Sequence, residues 1–405
     1  MIIEGSWVLP VTDKPIRSGG VRIQNGVISA AGKIVDIERV YPDEDVISFK
    51  NGIIMPGFVN LHSHIEYSAM HGRCRGGSFI AWIKDLIKAA RNMDANDWLD
   101  SSRYGAELMI ESGITSIGDI TKTDTAFRAI EEAGLRGVVF LEVLGFDDDK
   151  IDRVIHDLYI RLEKSANIKN NRINTGISPH APYTVSRKLF EALAEISDER
   201  GLRIMTHISE TAEEEVFVRD GTGVFADSFK KIAGWGDVTW DGTDLGSVEY
   251  LDACGILSER TIAAHAVWVD EADIEIFRAR GVSIAHCPRS NAYLGTGSAP
   301  VRRMLDAGVT VGLGTDSLAS NQSIDIFEEI RAIDRSINPE ERIRMATING
   351  ARALGLGDRV GSIEPGKFAD IIVVENDSDD PYMVISSSKS DLRLVMVEGN
   401  VLYET

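Results

Sequence analysis

A chain of 405 residues, 43% hydrophobic and 26% charged, has enough material for a large barrel plus one small module, and its composition excludes a disordered or fibrous protein. A formal net charge of -20 opposes a phosphate backbone or an anionic membrane surface, where binding begins with Lys and Arg, so nucleic acid and membrane are set aside as partners. Cys74, Cys254 and Cys287 form no CxxC pair, and the opening Met-Ile-Ile-Glu-Gly-Ser-Trp lacks a basic segment followed by an apolar core; a cytoplasmic location is expected.

Residues 1–55 alternate apolar and polar positions around turn signals such as Asn25-Gly26. From Gly52 onward, short apolar runs alternate with helical patterns, the signature of βαβ units around a parallel sheet. Eight strands are predicted: Phe58 to Leu61, Thr115 to Asp119, Gly137 to Val143, Thr175 to Ser178, Arg203 to His207, Thr261 to His265, Val282 to His286 and Thr310 to Gly314. Helices are predicted at Phe79 to Asn92, Asp97 to Ser112, Arg187 to Arg200 and Glu271 to Arg280, with glycines such as Gly201 and Gly281 at their ends. The stretch 221–246 reads as a long Gly-rich loop over one face. Near the end, Ala369-Asp370-Ile371-Ile372-Val373-Val374 and Val395-Met396-Val397 restore the strand pattern. The expected fold is α/β, a (β/α)8 barrel over 56–359 with a small β-sandwich built from both ends, 1–55 and 360–405.

Five of the eight histidines fall at or just past predicted strand ends, which in a barrel face the active-site mouth. His62 and His64 close the first strand, two residues apart and so on the same side of an extended segment. His207, His265 and His286 end the fifth, sixth and seventh, and Asp316 follows the eighth. Three imidazoles and a carboxylate converging there suit a catalytic zinc ion with a position left for water; Fe2+ or Mn2+ fit the same donors. Glu210, three residues after His207, stands where a proton shuttle would. The following Glu213, Glu214 and Glu215 read as a solvated helix turn. Phe79 and Trp82, at helical spacing, read as core rather than as a stacking platform.

Pro56-Gly57-Phe58-Val59-Asn60-Leu61-His62-Ser63-His64, His207-x-x-Glu210, His265, Gly314-Thr315-Asp316 and the closing Gly361-Ser362-Ile363-Glu364-Pro365-Gly366-Lys367 resemble the amidohydrolase superfamily over essentially the whole chain. Binuclear members carry a Lys near the fourth strand; 174–186 has His180 instead, so the resemblance implies one ion, held by His62, His64, His207 and Asp316, and the aminohydrolase branch acting on nucleosides. It further implies that His265 orients the attacking water and that a ring amine leaves as ammonia. His64-Ile65-Glu66-Tyr67-Ser68 and His286-Cys287-Pro288-Arg289-Ser290-Asn291 are most similar to aminodeoxyfutalosine deaminases of menaquinone biosynthesis. The alternatives are deamination of S-adenosylhomocysteine, methylthioadenosine or adenosine, a triazine chlorohydrolase-like reaction, or a scaffold without catalysis, which should have lost a ligand or the shuttle. A carboxylated nucleoside needs a cation; Arg289, then Arg75 and Arg73, are the expected candidates. Glu66, His180, Asn291 and Ser320 are expected to line the substrate site, and the chain is compatible with a homo-oligomer.

Overall fold

Four strands open the chain, β1 (Ile2–Val8), β2 (Ile16–Gln24), β3 (Val27–Lys33) and β4 (Val46–Pro56). Eight follow at the centre: β5 (Phe58–Ser63), β6 (Ile114–Thr121), β7 (Arg136–Val143), β8 (Ile173–Pro179), β9 (Ile204–Ile208), β10 (Thr261–His265), β11 (Ser283–His286) and β12 (Thr310–Leu313). Three close the chain, β13 (Ile371–Glu375), β14 (Leu392–Val397) and β15 (Asn400–Glu404). This computed structural model describes residues 1–232 and 238–405.

β5 to β12 pair in chain order, all parallel. Every residue of β5, β6, β7, β9, β10 and β11 is buried, as strands covered on both faces require. The barrel closes beyond β12, where Ser63 bridges Asp316 and the N–H groups of Thr315 and Asp316 both donate to the His62 carbonyl at 3.1 Å. Closure demands Gly314: a Cβ there would lie 2.9 Å from the His62 carbonyl oxygen and 2.8 Å from Cys287 Sγ.

The chain ends meet in one seven-stranded sheet, ordered β15-β14-β13-β4-β1-β2-β3. β13 lies antiparallel to β4, with Val373 opposite Ile54, and β1 with β4 is the parallel pair within it. Arg136 at the start of β7 ties this sheet to the barrel: its buried guanidinium pairs with Asp370 at 2.7 Å and with Glu398 at 2.9 Å.

The helices Arg187–Arg200 and Glu271–Arg280 have the expected bounds and stop at Gly201 and Gly281, both left-handed. The expected loop over 221–246 needs correction: a helix occupies Gly223–Ile232, anchored by the fully buried Phe225, while 233–237 lie outside the described residues. No described helix is long and apolar enough to cross a membrane.

Candidate active site

The strand ends deliver the expected cluster. The ligand atoms of His62, His64 and Asp316 lie within 4.8 Å of one another, and so do those of His62, His207 and His265. His64 Nε2 is 3.3 Å from His207 Nε2, and Asp316 Oδ1 is 3.8 Å from His62 Nε2 and 3.9 Å from His64 Nε2. Burial pulls the imidazoles of His62, His64 and His207 down, so they are neutral and carry lone pairs. His62 Nε2 is buried and has no hydrogen-bond partner. His207 Nδ1–H donates to the His180 carbonyl at 2.8 Å, which fixes the tautomer that leaves its Nε2 free to ligate. Neutral imidazoles, an orphaned ring nitrogen and a carboxylate in one buried spot fit a divalent metal ion of the zinc type.

The carboxylate is oriented from behind. Ser290 and Ser320 hydroxyls donate to Asp316 Oδ2 at 2.6 and 2.7 Å, leaving Oδ1 toward the imidazoles. Burial opposes its charge, but the polarity of the facing His62, His265 and His64 rings and the Ser290 hydroxyl favour it and hold the carboxyl down, at about 2. His265 Nδ1–H donates to Asn291 Oδ1 at 2.9 Å, turning its Nε2 toward Glu210, 3.7 Å away. Burial pushes the Glu210 carboxyl up to about 7, so it can hold or release a proton near neutrality. Ser209, His265 and Asp316 carry positive φ angles of 50, 71 and 56°, strained for residues with a Cβ and clustered here.

These groups open into a cavity of about 560 Å3, with His64, His207, Glu210, His265 and Asp316 on its wall. Phe79 and Trp82 line it as well, so the reading of both as core alone is corrected; Trp82 Nε1 is anchored on the Ala319 carbonyl at 2.7 Å. His180 lines the cavity with Nδ1 bonded to Thr184 Oγ1 at 2.7 Å, and burial pulls it down to about 3.

Other expected substrate residues sit elsewhere. Arg289 does not line the cavity: its guanidinium is taken by Ser323 at 2.7 Å and Glu328 at 2.8 Å. Arg75 is paired with Asp85 at 2.6 Å, and Arg73 lies in a separate groove. Glu66 is also corrected, because its buried carboxylate accepts from Thr121, Thr123 and the Lys122 N–H and so fastens the loop after β6. Asn291 and Ser320 support His265 and Asp316 rather than line the cavity. His286 is buried with Nδ1 unpartnered and off the cavity wall.

Glu214 overturns its reading as solvated: it is fully buried and accepts from the N–H groups of Ser209 at 2.6 Å and Glu210 at 3.1 Å. Nothing in a run of three glutamates marks the middle one. Glu142, on the cavity wall, had a signal, being the one charge in the buried run Val138-Val139-Phe140-Leu141-Glu142-Val143.

The amidohydrolase family matches residues 53–402. A 5'-deoxyadenosine deaminase of Methanobrevibacter smithii is 31% identical, covering 98% of this chain and 88% of its own. A 5-methylthioadenosine/S-adenosylhomocysteine deaminase of Thermococcus onnurineus is 30% identical over 94% of this chain and 90% of its own. An adenosine deaminase from Xanthomonas campestris, solved with bound zinc, superposes with a TM-score of 0.85 at 26% identity, covering 99% of this chain and 92% of that one. The aminofutalosine deaminase of Helicobacter pylori shares the fold, with a TM-score of 0.87 at 21% identity over 99% of both chains.

Proposed function

The chain belongs to the amidohydrolase family, and on that premise we propose that it is a metal-dependent hydrolytic deaminase that replaces the 6-amino group of an adenine-type nucleoside with oxygen and releases ammonia. The observation that carries this reading is the convergence of His62, His64, His207 and Asp316 with Glu210 beside them. The relatives named above as 5'-deoxyadenosine and methylthioadenosine deaminases support the substrate class.

His62, His64, His207 and Asp316 would hold one ion, zinc by donor type, with Fe2+ and Mn2+ compatible. When bound, the ion supplies Lewis acidity that brings the pKa of a water toward about 7. Asp316, kept ionised, accepts the proton that water gives up. Glu210 holds a proton near neutrality, delivers it to a ring nitrogen as water adds at the amine-bearing carbon, and relays a proton to the amine as the C–N bond breaks. His265, its ring fixed by Asn291, orients the attacking water.

Within this class the substrate we assign is aminodeoxyfutalosine, giving futalosine for menaquinone biosynthesis. The cavity supports it by its volume of about 560 Å3, with Phe146, Lys150 and Val154 lining it besides the cluster, which leaves room for a large 5'-substituent. With Arg289 engaged elsewhere and Lys150 paired with Asp147 at 2.7 Å, Lys122 on the cavity wall is the cation we assign to a substrate carboxylate. Ammonia release measured in parallel on aminodeoxyfutalosine, 5'-deoxyadenosine, methylthioadenosine, S-adenosylhomocysteine, adenosine and a triazine tests this. Aminodeoxyfutalosine should show the highest kcat/KM. If it is inert while another nucleoside turns over, the substrate assignment fails and the class stands; if every nucleoside is inert, the class fails.

A further inference from the structure

Glu142 is the penultimate residue of β7, in register with Ser178 on β8. It is only 8% exposed and lines the cavity that holds His64, His207 and Glu210. Its backbone is fastened, because Arg161 donates to the Glu142 carbonyl at 2.7 Å while pairing with Asp124. Its carboxyl has no hydrogen-bond partner among the described residues. The other carboxylates of the cavity are committed: Asp316 to Ser290 and Ser320, Glu210 toward His265, and Asp147 to Lys150 at 2.7 Å.

A buried carboxyl without a partner is costly. Burial, then the neighbouring Glu66 charge, push this one up to about 7 against the pull of Lys122 and Arg161. A group kept at such cost on a cavity wall fits one whose partner arrives with the ligand. The Tyr67 phenol lines the same cavity, and after burial the Glu142 charge is what raises it most, so the two face common space.

We propose that Glu142 reads the sugar of the substrate, its carboxyl accepting hydrogen bonds from the vicinal 2'- and 3'-hydroxyls of a ribose. The inference rests on the nucleoside reading above and deepens it. Two carboxyl oxygens match two adjacent hydroxyl donors. A neutral diol meets the Glu142 carboxyl without the repulsion that an anionic group placed against it would suffer, which leaves Lys122 to a carboxylate elsewhere on the substrate. Placement agrees: β7 lies two strands from the β5 ligands and two from the β9 ligand. At about 4.8 Å per strand that is roughly 10 Å along the sheet, the scale of a purine with its sugar.

The test compares kcat/KM for adenosine, 2'-deoxyadenosine and 3'-deoxyadenosine in the metal-loaded wild type, Glu142→Gln and Glu142→Ala. Metal content and Tm are measured on each protein. Loss of a hydrogen bond to a charged acceptor corresponds to about ten- to hundredfold. The wild type should therefore favour the ribonucleoside by that margin, mainly through KM. The preference should narrow in Glu142→Gln and fall to within about twofold in Glu142→Ala. Folded variants that keep the wild-type preference, or a wild type that deaminates all three equally, overturn the inference. A wild type that deaminates none of the three, nor any nucleoside of the wider panel, overturns the reading of function itself and this inference with it, a separate result because no ratio then exists in any variant.

Discussion

His64 Nε2 and His207 Nε2 lie 3.3 Å apart, with their rings stacked at an interplanar angle of 11°. Two nitrogens bound to one tetrahedral ion at about 2.0–2.1 Å are separated by about 3.3 Å, so the pair already has the spacing of two co-ligands. Elemental analysis should find about one transition-metal ion per chain. His207→Ala should lose it, and chelation should lower Tm and abolish activity, both restored by added zinc. Two ions per chain, or active metal-free protein, would refute the single-ion site.

Glu210→Gln keeps the size of the side chain and removes the proton it relays. It should lower kcat by about 10²–10⁴-fold while metal content stays at the wild-type level. Near-normal turnover in the metal-loaded variant would remove Glu210 from the mechanism.

Glu214 fixes the backbone of Glu210 without lining the cavity, since it accepts from the N–H groups of Ser209 and Glu210, and Ser209 has a φ of 50°. Glu214→Ala leaves both donors buried and unpaired, at a cost of about 1–3 kcal/mol each. Tm should fall, and kcat should fall further than KM rises. A Glu214→Ala protein with a lowered Tm but an unchanged kcat would show that Glu214 only supports the fold.

The barrel was legible because strands buried on both faces leave continuous apolar runs and a βα cycle leaves glycines at helix ends. The cluster of imidazoles and a carboxylate was legible for a related reason: a histidine at the C-terminal end of such a run stands out, as His207 and His265 do in β9 and β10. Partner choice was not. Arg289 has the position of a substrate cation, yet Glu328 and Glu329, forty residues along the chain and brought close only by packing, claim it. Ser290 and Ser320 show the same limit, since their bonds to Asp316 depend on the helix Pro288–Leu294 after β11 meeting the turn after β12. The helix at Gly223–Ile232 was hidden by the glycines flanking it.

Glu329 gives a pH signature in stability. It is fully buried, and burial pushes its carboxyl up to about 8 despite bonds from Asn321 and the Arg289 N–H. Below about pH 4.3 folded and unfolded chains both hold its proton. Between there and about 8 the unfolded chain has released it while the folded chain retains it, so the stability it contributes is lost as pH rises. Glu329→Gln lacks that component. The urea midpoint of the wild type minus that of the variant should therefore decline from pH 5 to pH 8; a difference that is level or rising would contradict the assignment.

Arg136 and Asp370 are each 1% exposed, and they join the first residue of β7 to the segment leading into β13, with Glu398 completing the pair and the Phe368 ring 4.5 Å from the guanidinium carbon. The same Asp370 also accepts the Glu398 N–H at 2.9 Å, so one carboxylate serves both the barrel and the sheet made by the chain ends. Removing one member of a buried pair leaves the other charged and unpaired, which costs about 3–5 kcal/mol, whereas replacing both by apolar groups of similar volume is often far less damaging. Arg136→Met should therefore lower stability by about that amount, and Arg136→Met with Asp370→Leu should recover part of the loss except for the share owed to Glu398. KM should not change in either protein that folds, because the pair lies at the opposite end of β7 from Glu142 and the cavity. Chemical denaturation of the two variants against the wild type measures this; a single variant as stable as the wild type would mean that the tie between barrel and end sheet rests on apolar packing alone.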